Sequence, residues 1–172
     1  MRQQVHFVYS FGLYRGRVED NWGLNMDNGF FRLKTPSDLF CKVKCDFEDY
    51  CKNPNDYSLF NLLCGLNHLR EWIEKYQNNH KFDSKPQFFV SKLLNDSDYK
   101  VIKELCNNAK HFKDLKGIGQ RSNCFEGFRT GFSRAGDRLG QMNNTVDGKD
   151  IRDVVFNIYK KYKKYFEEIH KD

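Results

Sequence analysis

The stretch from 149 to 170 constrains the fold more than any other. Ile151, Val154, Val155, Ile158, Tyr162, Phe166 and Ile169 recur at intervals of three and four residues and make one continuous apolar stripe. An amphipathic helix of this kind takes its stability from burying the stripe against other elements, so the rest of the chain must supply them. Lys160, Lys161, Lys163 and Lys164 fall off the stripe and read as a solvated face.

Upstream, four more segments carry helix signals. Thr35-Pro36-Ser37-Asp38 combines a capping Thr, a Pro at the first helical position and an acid at the third. A helix should follow to about Tyr50, with Leu39, Phe40, Val43, Phe47 and Tyr50 facing inward. Asn53-Pro54-Asn55-Asp56 ends it. A second helix should run from Tyr57 to Gln77, with Leu62, Leu66, Leu69, Ile73 and Tyr76 as its buried stripe. A short helix is expected over Gln87–Leu94, and Asp96-Ser97-Asp98 caps another that should reach about Phe112.

The remaining segments differ in kind. Residues 1–34 read as extended: Val5, Phe7 and Tyr9 alternate as on a half-buried strand, and Gly29–Leu33 offers another. Residues 113–148 are rich in Gly, Arg and Asn, with Phe125, Phe128 and Phe132 among them, and suggest a β-hairpin or ordered loop. Asp147-Gly148 is a turn that feeds the last helix. The expected fold is therefore mainly α: a helical bundle over 35–112, a small hairpin or extended insertion over 113–148, and a closing helix over 149–170. No internal repeat or linker divides it, so 1–172 reads as a single domain.

A chain of 172 residues can bury roughly two-thirds of its unfolded surface, and 16 Phe and 9 Tyr supply a core. No run approaches the ~20 apolar residues that a membrane helix needs. The opening MRQQVHFVYSFGLYRGR is too broken by Ser10, Gly12 and Arg15 to read as a signal peptide, so the expected location is the cytoplasm. The six cysteines are then expected as reduced thiols. Cys41 and Cys45 would share a helix face near Asp49, but histidines at finger-like spacing are missing, and neither a metal nor another cofactor is expected. The net charge of +6 is compatible with a polyanionic partner without requiring one.

The sharpest functional feature lies on the fourth helix. On a wheel of ~100° per residue, Val101, Ile102, Leu105, Ala109 and Phe112 gather on one side with Cys106 at their edge. Lys103, Asn107, Lys110 and His111 gather on the other. The second helix carries a comparable polar strip, Cys64, His68, Glu71 and Lys75. If the two helices pack antiparallel, His68 and Glu71 would approach Asn107, Lys110 or His111. Such a group would combine imidazoles titrating near neutrality, a carboxylate to orient one, and cations for a phosphate. Asn, Lys and His on an outward face are also ordinary surface residues.

The segment Glu104-Leu-Cys-Asn-Asn-Ala-Lys-His-Phe112 resembles that of a family of small bacterial proteins with an Asn-Ala-Ser-Lys-His-Phe type motif. The resemblance extends to Phe30–Leu39, Leu59–Trp72 and the Val146-Asp-Gly148 turn. The motif is also similar to that of HEPN domains, helical bundles found in prokaryotic toxins and antiviral ribonucleases. Their signature is an Arg, four to six residues, then a His, often with a polar residue just after the Arg. By this resemblance His111 matches the histidine and Asn107 the polar position. The Arg is not matched: Lys103 stands nearest its place at a longer spacing, and Lys110 sits beside the His.

The resemblance implies an RNA-targeting protein acting as a homodimer, whose paired motifs form a metal-independent ribonuclease of a bacterial defence or toxin–antitoxin system. The 2′-OH of RNA would be the nucleophile, His111 would move the proton, and Lys103, Asn107 and Lys110 would stabilise charge on phosphate, with His68 and Glu71 in support. Arg121, Phe128, Arg129, Arg134 and Arg138 would hold single-stranded RNA. The same segment also reads as a hairpin whose Phe residues cap the core while its Arg residues are solvated. The alternative function is a non-catalytic binding or regulatory module, or a phage- or plasmid-encoded inhibitor, that contacts a nucleotide or a cognate protein partner through the same face.

Overall fold

Local capping explains where the helices begin. A computed structural model describes residues 30–79, 85–111, 122–127, 130, 133–137 and 141–169. Helix α1 spans Pro36–Lys52 and opens on a capping box: Thr35 Oγ1 accepts from the Asp38 amide, and the Asp38 carboxylate accepts from the Thr35 amide at 2.8 Å. Helix α2, Asp56–Asn79, starts where Asn55 Oδ1 accepts from the amides of Tyr57 and Ser58, both at 3.0 Å. Helix α3 covers Lys85–Asn95. Helix α4, Ser97–His111, is capped by Asp96, whose carboxylate accepts from the Asp98 and Tyr99 amides. Each such cap satisfies donors that the first helical turn leaves open, and contributes about 1 kcal/mol.

The closing helix α5 spans Ile151–Ile169 and buries Ile151, Val154, Val155, Ile158, Tyr162 and Phe166 of its apolar stripe. Phe40 stacks on Phe166 at 4.5 Å, Phe47 on Tyr159 at 4.0 Å and Phe89 on Tyr165 at 4.2 Å, so aromatic pairs tie α1 and α3 to α5. Tyr162 is fully buried, and its hydroxyl donates to the Leu66 carbonyl at 2.9 Å, which satisfies the one polar atom it brings inside. Two residues of the expected stripes lie at the rim instead: Tyr76 and Ile169 are exposed, each near the end of its helix.

Before α5 the chain forms a three-stranded antiparallel sheet in the order β1 (Ser122–Glu126), β2 (Met142–Val146), β3 (Lys149–Asp150). The pairing runs from Ser122 opposite Val146 to Glu126 opposite Met142. Asp147 and Gly148, at φ 50° and 77°, make the two-residue connection from β2 to β3, the left-handed pair that a tight hairpin turn requires. The fold is thus mainly helical with a small hairpin ahead of the closing helix. Among the described residues no helix is long and apolar enough to cross a membrane.

The expected strand at Gly29–Leu33 is replaced by a tight turn. Phe30 and Leu33 exchange both backbone hydrogen bonds at 2.9 Å, Phe31 sits at φ 50°, and both phenylalanines are exposed. Among the described residues no other strand pairs with this run, which closes on itself through the Phe30–Leu33 bridge. The strand expected at Val5–Tyr9 and the helix end at Phe112 lie outside the described residues.

Candidate functional site: the edge between α2 and α4

Two contacts fix how α2 and α4 meet. Cys64 and Cys106 place their sulfurs 3.8 Å apart, and Arg70 Nε donates to the Tyr99 hydroxyl at 2.9 Å. A later residue on α2 meets an earlier one on α4, so the helices are antiparallel, as expected. This register settles which polar residues are neighbours. His68 lies level with Ile102, one residue either way. From there to His111 is nine residues along α4, or about 13 Å at 1.5 Å per residue.

His68 and Glu71 therefore pair with each other rather than with the far end of α4. His68 Nδ1 lies 3.4 Å from Glu71 Oε2, and Glu71 also accepts from Arg70 at 3.3 Å. Arg70 reaches Glu74 at 2.5 Å. Behind them the Tyr99 hydroxyl, fully buried, donates to Asn67 Oδ1 at 3.1 Å. Burial pushes the Tyr99 phenol up to about 12, against the pull of Arg70, so it stays neutral across physiological pH. The result is a hydrogen-bonded chain, Asn67–Tyr99–Arg70–Glu71–His68, that runs from core to surface.

On α4 itself, Lys103 and Lys110 are exposed and Asn107 is half-buried. His111 is the last residue of the helix. The core face differs from the wheel in one respect. Tyr99 is completely buried and Cys106 is 2% exposed, whereas Ala109 is exposed. The helix is rotated toward Tyr99, which carries Cys106 from the edge into the interior. Cys106, directly before Asn107, is a buried thiol.

One turn beyond the cysteine contact, the same end of the helix pair carries Lys110 on α4 and Phe60 on α2. Phe60 and Tyr57 are 46% and 85% exposed, a large aromatic surface to leave in water. Tyr57, Phe60, Cys64, His68 and Glu71 follow one strip of α2 at helical spacing. The hairpin joins this end, since Asn144 donates to Asp56 at 3.2 Å.

The two thiols are electrostatically unequal. The Cys106 S–H donates to Cys64, and this bond lowers the Cys64 thiol to about 7, against burial; Lys42 of α1 and Lys110 of α4 assist, and Asp46 opposes. The same bond, with burial, pushes the Cys106 thiol up. Both cysteines were visible on the two wheels, but only the interhelical register reveals that they meet.

Of the expected RNA-holding residues, Arg121, Phe128, Arg129 and Arg138 lie outside the described residues. Arg134 is exposed, and its guanidinium is engaged by Asp150 at 3.1 Å and Asp153 at 2.7 Å. Cys41 and Cys45 are exposed on α1, and among the described residues no group of three or more His, Cys, Asp or Glu gathers as metal ligands do. Comparison with family models, with curated proteins and with solved structures finds no match.

Proposed function

We propose that this chain is a HEPN-like RNA-targeting protein that holds single-stranded RNA along the α2–α4 edge, in a bacterial defence or toxin–antitoxin setting. The observation that supports the proposal is that the exposed ring of Phe60 and the exposed cation Lys110 lie level, one turn beyond the Cys64–Cys106 contact, with the exposed Tyr57 about a turn further along α2. Aromatic faces accept stacked bases whatever their sequence, and ammonium groups neutralise the phosphates between them. Lys103 and Asn107 extend the polar track along α4. In a homodimer two such tracks would bring two His111 residues to one RNA strand, where an imidazole can move the 2′-OH proton.

A non-catalytic module is the second reading, and a specific observation favours it. Cys106 holds the place before Asn107, so phosphate would meet lysine ammonium groups rather than a bidentate guanidinium. His68, bound to Glu71 about 13 Å along the helix, is not available to His111 as a second imidazole. Incubation of a labelled single-stranded RNA with the chain in EDTA separates the outcomes. Cleavage that His111→Ala abolishes while the helical signal persists establishes the ribonuclease. Saturable binding without turnover, weakened by loss of Lys103 and Lys110, establishes the binding module. No binding at moderate salt refutes both.

A further inference from the structure

We propose that Cys64 and Cys106 are a redox-active dithiol, in which a hydroperoxide oxidises Cys64 and Cys106 resolves the product to a disulfide joining α2 to α4. The inference rests on the cysteines alone and stands whether or not RNA is the ligand. The sulfurs are 3.8 Å apart, so bond formation at ~2.05 Å asks for only about 1.8 Å of approach. Their helices are already packed, and the pair joins residues far apart in sequence. Among the described cysteines, Cys41, Cys45 and Cys51 are exposed and make no comparable sulfur contact.

The two positions suit different steps. Cys64 is partly open to solvent; the Cys106 S–H, and to a lesser degree Lys42 and Lys110, favour its charged form against burial and Asp46, as a peroxide-sensing thiolate requires. Cys106 is 2% exposed and meets Cys64 from the core side, as a resolving thiol should. In the first step the Cys64 sulfur attacks a peroxide oxygen. An S–O bond forms, the O–O bond breaks, and the leaving oxygen takes up one proton and departs as water from hydrogen peroxide, or as an alcohol from an organic hydroperoxide. In the second step the Cys106 sulfur attacks Cys64, an S–S bond forms and the S–O bond breaks. The Cys106 proton leaves with the departing hydroxide as water. Two thiols lose two electrons in all, and one peroxide gains them. Oxidation of Cys64 also removes the negative charge that holds the Cys106 proton in place, so the first step prepares the second.

The test treats the reduced full-length chain with hydrogen peroxide at pH 7, blocks the remaining thiols, and maps peptides by mass spectrometry without reductant. The expected product is a Cys64–Cys106 cross-link that dithiothreitol reverses. Cys64 should be consumed about five-fold faster than an ordinary exposed thiol, since its larger thiolate fraction outweighs its lower intrinsic nucleophilicity. In Cys106→Ala, a dimedone adduct should accumulate on Cys64. Because that variant removes a buried side chain, the order of thiol loss in the unaltered chain is decisive. Oxidation of Cys41, Cys45 or Cys51 ahead of Cys64, or irreversible oxidation of Cys64 with Cys106 unlinked, overturns the proposal.

Discussion

Two polar regions of this molecule use charge in opposite ways. At the junction of the hairpin with α5, charges are matched inside the protein. Arg152 binds Asp137 at 2.7 Å and Asp150 at 2.6 Å, and Arg134 binds Asp150 and Asp153. Arg152, Asp137 and Asp150 are all nearly buried, so this network is part of what holds the strands to the helix. At the α2–α4 edge the buried part, Asn67–Tyr99–Arg70, is equally well satisfied, but the outer part is not. Among the described residues neither Lys103 nor Lys110 forms an ion pair, and the exposed ring of Phe60 lies level with Lys110 in the helix register. Charge closed upon itself is structural, whereas charge left open beside apolar surface is available to a ligand.

The contrast predicts a graded set of responses. Arg152→Ala should be the most severe, since it leaves two nearly buried carboxylates with reduced compensation. A loss of about 3 kcal/mol is expected. For a domain of this size that is a fall of about 9 °C in melting temperature, readable by calorimetry. A fall of under 2 °C would show that Arg134 and water replace the lost guanidinium, and that the junction is not a closed network. Tyr99→Phe should cost less, about 1.5 kcal/mol, because the ring still packs while Arg70 and Asn67 lose their common partner. An unchanged denaturation midpoint would mean that the core-to-surface chain is incidental. Lys103→Ala with Lys110→Ala should change stability by less than about 0.5 kcal/mol. If instead it destabilises the fold strongly, those cations are structural too and the contrast fails.

Local chemistry made most of the fold legible in the sequence. Thr35 with Asp38, and Asp96, each start a helix through hydrogen bonds within four residues, so their signals survive without knowledge of the partner helices. The hairpin turn at Asp147-Gly148 is equally local. What escaped depends on packing. The aliphatic residues of α4 set the expected core direction, but the fully buried Tyr99 rotates it, and that rotation buries Cys106 and exposes Ala109. The pairing of Cys64 with Cys106, and the separation of His68 from His111, follow from interhelical register, which no single wheel contains. The polar face of α4 was thus visible in the sequence, while its neighbours were not.

The salt dependence of RNA binding tests the open-charge account most directly. For a single-stranded oligonucleotide, the slope of log affinity against log salt falls by about 0.7 for each phosphate contact removed. Lys103→Ala with Lys110→Ala should therefore reduce the slope by about 1.4 and weaken binding at low salt, while the melting temperature stays put. Binding with an unaltered slope in the double variant would place the contacts elsewhere and contradict the assignment of the α2–α4 edge as the RNA-holding surface.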